Sequence, residues 1–296
     1  MASFPVVEEN VALARYTTIG TGGPARWFAR PDSTTELQAH LRWAREREAR
    51  VEVVGLGSNL LVHDDGVDAL VLKLSGELAA AHVEGDLLVM GGGAPNAVGL
   101  HRARAAGLGG FEFASAIPGT AGGGVRMNAG AYGRDWRDVL VDAVVVDADG
   151  ARTLGPEELD LSYRHSGLAP GEVVAGVRFG LEPSTPDAVK AIAAELLAQR
   201  KSTQPTNKRT FGSVFKNPKE GPGAGRMIEE CGLKGHRIGG AVVSPRHANF
   251  IENAGGATSA DCIALMAEAR RRVHERFGVE LEHEVQFLGP LELPPL

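Results

Sequence analysis

The residues of this 296-residue chain most suited to chemistry lie in Ile117-Pro118-Gly119-Thr120-Ala121-Gly122-Gly123-Gly124-Val125-Arg126-Met127-Asn128-Ala129-Gly130-Ala131-Tyr132-Gly133. Pro118, Val125 and Met127 stiffen the segment, and alanines fill most of its other small positions, so it is not a flexible linker. Residues this small let a backbone approach a ligand closely and adopt positive φ. Successive N–H groups in such a turn form an anion-binding concavity without a lysine. The chemistry suits a phosphate-bearing cofactor held mainly by main chain. A tight buried crossing of two segments would use the same residues.

A second glycine turn points the same way. Val51–Val54 reads as a short buried strand, followed by Gly55-Leu56-Gly57-Ser58-Asn59-Leu60-Leu61-Val62. This is no dinucleotide fingerprint, because Leu60 takes the third glycine position and no helical pattern follows before Gly66. It is no P-loop either, since Gly-Lys-Ser/Thr is missing. A strand, a Gly-Leu-Gly-Ser-Asn turn and an apolar run would present N–H groups and two polar side chains.

Other candidates are ambiguous when taken alone. Ser213 follows a glycine and precedes Val-Phe without a Gly-x-Ser-x-Gly elbow, so it reads as a turn serine bonded to its own backbone rather than an acyl-transfer nucleophile. Arg164, after Tyr163, sits in a polar interruption and reads as a surface arginine. Glu284 alternates with Val285 and Phe287, the pattern of an exposed strand face. Glu282 is an equal carboxylate by chemistry. The nine histidines show no paired ligand spacing, so no metal is expected, and His283 reads as a surface residue.

The elements that would position these residues are mixed. Ser33-Thr34-Thr35-Glu36 is a capping box opening a helix with Leu37, Leu41 and Ala44 on one face. Val51–Val54, Ala69–Leu74, Leu87–Met90, Val139–Asp147 and Val173–Leu181 read as strands, and Asp149-Gly150 as a hairpin turn. A helix is expected from the Gly91-Gly92-Gly93 turn to Ala106. Thr185 and Pro186 open a helix with an apolar stripe of Val189, Ile192, Ala193, Leu196 and Leu197, ending near Lys201. A short helix around Met227–Cys231 ends at Gly232. A long one, Ser259 to Phe277, carries Ile263, Met266, Ala269, Val273 and Phe277 on one side and ends at Gly278. Strands and helices do not alternate regularly, so the fold class is α+β.

Bulk properties exclude several functions. The length suggests about two domains. A net charge of −6 offers no basic face for nucleic acid. Arg outnumbers Lys by 24 to 7, so scattered arginines carry little meaning, and Arg270-Arg271-Arg272 reads as a solvated helix end. Cys231 and Cys262 stand at no metal spacing and read as small apolar residues of a reducing compartment. The N-terminus lacks a basic region followed by an apolar stretch, and no run approaches the ~18 apolar residues of a membrane helix, so a cytoplasmic chain is expected.

The order Gly-Leu-Gly-Ser-Asn-Leu-Leu from Gly55, Ile-Pro-Gly-Thr-Ala-Gly-Gly from Ile117 and Asn-Ala-Gly-Ala-Tyr-Gly from Asn128 resembles the UDP-N-acetylenolpyruvoylglucosamine reductase (UDP-N-acetylmuramate dehydrogenase) family, flavin enzymes of peptidoglycan precursor synthesis. Tyr163-Arg164-His165-Ser166, Gly212-Ser213-Val214-Phe215-Lys216-Asn217-Pro218 and Leu281-Glu282-His283-Glu284-Val285 continue the match, which runs in order from Thr17 to Gly289. The resemblance implies a two-lobed FAD-binding domain of the vanillyl-alcohol-oxidase/p-cresol-methylhydroxylase type over 1–184, with lobes of 1–75 and 76–184. It implies a smaller α+β substrate-binding domain over 185–296, whose last residues return to the FAD domain.

The resemblance also implies site residues and chemistry. FAD, bound non-covalently, would contact Gly55, Gly57, Ser58, Asn59, Leu60, Pro118, Gly119, Thr120, Gly122, Gly123, Asn128, Gly130 and Ala131. NADPH would be the co-substrate. Ser213 would protonate the substrate, Arg164 would stabilise an enolate-like intermediate, and Glu284 would work as an acid or orient its neighbours. Tyr163, Lys216 and Asn217 would bind the UDP-sugar, with Lys208 and Arg209 as further cations. A monomer acting on small molecules, without metal, nucleic acid or membrane, is expected. Only Glu182 to Pro186 separates the strand ending near Leu181 from the next helix, so the chain resembles the shorter subclass without a substrate-capping tyrosine insertion, and the Ser166–Glu172 loop is the candidate closing element. The alternatives are an FAD-linked alcohol or lactone oxidase of the same fold and a non-catalytic flavin-binding module.

Overall fold

A computed structural model describes residues 5–296, so the part of the N-terminal reading that rests on residues 1–4 lies outside the described residues. The chain divides into two compact units. The first comprises 5–9, Trp27–Leu56 and Ala69–Gln199; the second comprises Asn10–Arg26, Gly57–Asp68 and Arg200–Leu296.

The first unit has two apolar cores. In one, helix α1 (Thr34–Glu46) buries Leu37, His40, Leu41 and Ala44 among Leu70, Leu72, Val146 and Val173. Ser33 caps α1 by accepting the Glu36 N–H at 3.3 Å. The box closes one residue earlier than the pattern predicts, because Glu36 accepts the N–H of Asp32 at 3.0 Å. Strand Arg50–Val53 pairs in parallel with Val67–Leu72, Arg50 opposite Ala69 and Val53 opposite Leu72. That pairing brings both strands to their C-terminal ends where the Gly55 turn begins.

The second core lies under a five-stranded antiparallel sheet in the order Ala151–Leu154, Leu140–Val146, Val173–Gly180, Leu87–Gly91, Ala81–Glu84. The expected hairpin closes with Val146 opposite Ala151, and Asp147 Oδ1 accepts the N–H groups of Asp149 and Gly150. Four rings, Phe111, Phe113, Trp136 and Phe179, meet edge to face or tilted with centroids 4.9–6.0 Å apart, the spacing aromatic quadrupoles favour. Helix α2 (Asn96–Ala105) and the single-turn helix α3 (Ala121–Arg126) complete this part.

Helix α4 (Pro186–Thr203) follows Thr185, whose hydroxyl accepts the Ala188 N–H at 3.2 Å. Its apolar stripe is narrower than predicted: Val189 and Ala193 are buried, whereas Ile192 is 47% exposed. One side of the helix alone finds a partner surface.

The second unit is a four-stranded antiparallel sheet in the order Thr210–Ser213, Phe250–Asn253, Ala241–Val243, Arg237–Ile238. Helices α5 (Ala224–Glu230) and α6 (Ser259–Phe277) pack Met227, Ile228, Cys262, Leu265, Met266 and Val273 against Val243 and Ile251. Thr258 and Asp261 form a reciprocal capping box on α6, and Gly278 ends it at φ 68°. Strand Gln286–Leu288 pairs in parallel with Leu60–Val62.

One expectation fails on α6. Arg270 is not solvated: it is buried, and its guanidinium donates to the carbonyls of Leu281 and Pro294 and to Glu280. A guanidinium is tolerated there because its fork of donors meets three acceptors. Arg271 is exposed as expected and Arg272 is half-buried, and both pair with Glu268.

Candidate active site

The first unit brings the two glycine turns together. A Cβ on Gly55 would fall 2.8 Å from the Thr120 hydroxyl oxygen. Thr120 caps α3, its hydroxyl accepting the Gly123 N–H at 3.4 Å. The glycines of α3 serve close packing: a Cβ on Gly122 would fall 2.9 Å from the Gly92 carbonyl, and one on Gly124 would collide with the Trp136 indole. The N–H groups of Ala121 and Gly122 donate to the carbonyls of Ala94 and Gly92 at 3.0 and 2.8 Å. The buried-crossing use of small residues is therefore realised at Gly122 and Gly124. Among the described residues, the N–H groups of Gly55, Leu56, Gly57 and Asn59 donate to no protein acceptor.

These features fit FAD. The cradle has no room for a Cβ at Gly55, and unsatisfied backbone donors follow it, the arrangement that suits a diphosphate. Lys73, absent from the sequence-derived candidates, donates from Nζ to the Gly55 carbonyl at 2.8 Å. Burial, then nearby Arg30, holds its ammonium below the usual lysine range. Its position at the end of a parallel strand beside the glycine turn was the signal that could have found it.

The segment Asn128–Ala131 is bound to the Tyr163-Arg164 turn. Asn128 sits at φ 38°, accepts the Arg137 N–H at 3.1 Å, and donates to the Ser162 carbonyl at 3.0 Å and to Asp135 at 3.1 Å. Ser162 and His165 exchange two backbone hydrogen bonds, 3.2 and 3.1 Å, which closes a two-residue turn around Tyr163 and Arg164. Arg164 takes the left-handed conformation at φ 55°. Its guanidinium lies 4.9 Å over the Tyr163 ring and donates to the Gly130 carbonyl at 3.0 Å. A strained φ in a bulky residue marks a turn held by its surroundings. The Ser166–Glu172 loop is tied down: Ser166 donates to the Arg126 carbonyl at 2.8 Å, and Arg126 donates to the Ala169 carbonyl at 3.2 Å.

In the second unit, Ser213 ends a strand at a bulge between Thr210 and Ser213. Gly212 stands at φ 82°, where its missing Cβ leaves room for the Ser58 carbonyl. The Val214 carbonyl accepts the Glu284 N–H at 2.8 Å, so the serine and the glutamate predicted from the sequence sit on adjoining backbone. Asn59 joins them, its amide donating to the Glu284 carbonyl at 3.3 Å. Lys216 is ion-paired with Glu282, which separates the two carboxylates: Glu282 holds a lysine, and Glu284 belongs to the serine turn. Asn217 accepts the Ala224 N–H at 3.0 Å and so secures the start of α5. His283 is half-buried: it stacks on Phe287 with centroids 4.4 Å apart and bonds the Val285 carbonyl through Nδ1.

Sequence reasoning missed Asn249. It is buried and bonds the backbone of Val214 and Phe215. A lone asparagine heading the apolar run Phe250-Ile251 was its only signal. Among the described residues no group of three or more His, Cys, Asp or Glu is placed to hold a metal, and no helix is long and apolar enough to cross a membrane.

Comparison with known proteins matches both halves of this picture. A family model described as FAD binding domain matches residues 25–154. A second, described as UDP-N-acetylenolpyruvoylglucosamine reductase, C-terminal domain, matches residues 204–288. The UDP-N-acetylenolpyruvoylglucosamine reductase of Anaeromyxobacter dehalogenans strain 2CP-C is 46% identical over 97% of this chain and 86% of its own length. Reductase 2 of Symbiobacterium thermophilum is 45% identical over 94% and 90%. The crystal structure of the Thermus caldophilus reductase superposes with a TM-score of 0.83 at 38% identity, covering 96% of this chain and 99% of that one. The fold is thus the α+β arrangement of an FAD-binding domain with a smaller companion domain, and the chain belongs to the UDP-N-acetylenolpyruvoylglucosamine reductase family.

Proposed function

We propose that this protein reduces the enolpyruvyl group of UDP-N-acetylglucosamine enolpyruvate to the lactyl ether of UDP-N-acetylmuramate, with NADPH as electron donor and FAD as bound cofactor. The observation that carries this reading is the serine turn: Ser213 at a glycine-enforced bulge, its successor Val214 bonded to the Glu284 N–H, in a chain with an FAD-binding domain.

FAD, when bound and reduced by NADPH, would supply the hydride for the terminal vinyl carbon of the sugar nucleotide. The protein's own residues manage the charge and the proton. Negative charge develops on the adjacent carbon and its carboxylate. A guanidinium answers it with charge-assisted hydrogen bonds, the role of Arg164, whose orientation Gly130 and Tyr163 fix. Ser213 gives its hydroxyl proton to that carbon, which completes the saturated ether. A serine is a weak acid, so the transfer depends on a hydroxyl already aimed at a strongly basic carbon. Glu284 works as an acid or orients its neighbours. Gly55, Leu56, Gly57 and Asn59, whose N–H groups have no protein acceptor among the described residues, would hold the cofactor's diphosphate, and Lys73 bonds the Gly55 carbonyl of that turn.

In this reading residues 1–184 serve the cofactor and 185–296 the sugar nucleotide. Tyr163, Lys216 and Asn217 contact the UDP-sugar, and the chain works as a cytoplasmic monomer of the shorter subclass. An anaerobic visible spectrum tests it. A flavin band that bleaches with NADPH and returns on adding the UDP-enolpyruvyl sugar supports the reading. A band that bleaches but returns with air alone makes the protein an oxidase.

A further inference from the structure

Asn249 immediately precedes strand Phe250–Asn253, the neighbour of the Ser213 strand, and it holds the backbone on which Ser213 stands. Its Oδ1 accepts the Phe215 N–H at 3.0 Å, and its Nδ2 donates to the Phe215 carbonyl at 2.8 Å. Its own carbonyl accepts the Val214 N–H at 2.9 Å. The side chain thus copies a rung of β-ladder at the bulge, where the true ladder is interrupted between Thr210 and Ser213. Val214 is left with both polar backbone groups bonded, its N–H to Asn249 and its carbonyl to the Glu284 N–H. The peptide following Ser213 therefore has one orientation available.

The support for Asn249 is itself rigid. The Asn249 N–H donates to His247 Nδ1 at 3.2 Å, which places the imidazole proton on Nε2. Burial, then nearby Lys234, holds His247 below the usual histidine range and so in the neutral form that can accept. His247 in turn packs edge-on to Phe250, the residue paired with Ser213, at 5.0 Å. Asn249 is 4% exposed, and its amide is satisfied on both sides. Buried amide networks of this kind specify one geometry, because any other leaves polar groups unpaired.

We infer that Asn249 is a positioning residue for proton transfer by Ser213, acting through the backbone of Val214 and Phe215. The inference rests on the proposed function, because it concerns the proton-donor role of Ser213. Proton donation by a weak acid to carbon is unusually sensitive to the direction of its O–H. A carboxamide that locks the next two peptides sets that direction without touching the substrate.

The test uses the FAD-loaded protein in anaerobic stopped flow, timing flavin reduction by NADPH and flavin reoxidation by the UDP-enolpyruvyl sugar as separate steps. Asn249→Ala should leave reduction within about twofold of wild type and slow reoxidation at least tenfold. It should also raise the solvent deuterium isotope effect on reoxidation, since proton transfer becomes the limiting event. In a Ser213→Ala background the same change should slow reoxidation by less than twofold further, because its effect passes through the hydroxyl. Equal slowing of both steps, an unchanged isotope effect, or full additivity with Ser213→Ala would each overturn the inference. Should Asn249→Ala fail to fold, Asn249→Ser, which keeps a hydroxyl for the Phe215 N–H, is measured by the same criteria. A wild-type flavin that the sugar cannot reoxidise would count against the proposed function itself.

Discussion

Asn59 and Glu284 stand 225 residues apart in sequence and are bonded to each other, the Asn59 side-chain amide donating to the Glu284 carbonyl at 3.3 Å. The Gln286 N–H returns a bond to the Asn59 carbonyl at 2.9 Å. A residue of the glycine turn and a residue of the C-terminal strand therefore share one ladder, which continues as the parallel pairing of Gln286–Leu288 with Leu60–Val62. Any shift of the glycine turn is felt at Glu284, and through the Glu284 N–H at Val214, next to Ser213. The Asn59 end of the glycine turn and the Ser213 turn are thus connected by hydrogen bonds within the second unit.

Removing the Ser213 hydroxyl should separate the two halves of the reaction. Ser213→Ala is expected to retain FAD and its reduction by NADPH and to slow reoxidation by the sugar nucleotide about 10²–10⁴-fold, the usual worth of a positioned general acid. Single-turnover absorbance measurements read both steps. A loss below tenfold would remove Ser213 from the role of proton donor.

Gly57→Ala should be costly for a reason unrelated to catalysis. Gly57 stands at φ 67°, and a Cβ there would collide with the Tyr16 carbonyl. The Gly57 carbonyl also accepts the Thr18 N–H at 3.0 Å, so the turn cannot move aside without breaking that bond. A thermal melt of the apo-protein should show a loss of at least ~1–2 kcal/mol, and a titration with FAD should show weaker binding. An apo-protein as stable as wild type would mean that the turn relaxes.

Periodicity placed the long helices and the longer strands of the first unit, but not the sheet strands of the second, Thr210–Ser213, Arg237–Ile238, Ala241–Val243 and Phe250–Asn253. Helix α6 begins and ends where its apolar spacing and Gly278 place it, and Asp149-Gly150 makes its hairpin. Local pattern fails wherever a residue's partner is remote. Arg270 sits at the charged end of an amphipathic helix, and nothing near it in sequence announces the carbonyl of Pro294. Asn249 has its partner 34 residues away, so its polarity in an apolar run carried no direction. The glycines of 122–124 were legible as small, but whether smallness serves a ligand or a neighbouring strand depends on Gly92 and Trp136. The motifs around Asn128 and Arg164, and around Ser213 and Glu284, do meet in pairs, through Ser162, Gly130 and Val214.

The α6 cap should give acid stability a recognisable signature. The Asp261 carboxylate accepts the N–H groups of Thr258 and Gly240, both at 3.1 Å, and these bonds hold it below the usual aspartate range. A carboxyl whose folded pKa is depressed contributes stability that is present above its unfolded value and lost as pH falls through the folded value. Asp261→Ala should therefore cost ~1 kcal/mol at neutral pH, the usual worth of a cap. The gap between variant and wild type should narrow on acidification below about pH 4. Urea melts at several pH values measure it, and a gap independent of pH would mean that the charge contributes nothing.

The two cysteines should differ in reactivity. Burial pushes the Cys262 thiol up to about 12, so almost no thiolate exists at neutral pH. Cys231 is partly exposed and raised to a lesser degree, by burial with Arg276 opposing it. A disulfide reagent under native conditions should label Cys231 slowly and Cys262 only on unfolding, as mass spectrometry of the labelled peptides would show. Rapid native labelling of Cys262 would mean that the α6 core opens.

Arg164 carries the last prediction, because its turn separates charge from geometry. The guanidinium is oriented by the Gly130 carbonyl at 3.0 Å and lies over the Tyr163 ring, while its backbone is held at φ 55° by the Ser162–His165 pair. A lysine would keep the positive charge but lose the planar fork that pairs with a carboxylate through two parallel bonds. Arg164→Lys should therefore reoxidise its flavin more slowly than wild type, by about 10–10²-fold, and Arg164→Met more slowly again, by about 10²–10³-fold, as expected for a donor aimed at developing charge. FAD affinity and the rate of reduction by NADPH should stay near wild type in both. If lysine restored the full rate, point charge alone would suffice, and the fixed orientation of the guanidinium by Gly130 and Tyr163 would have no part in the rate.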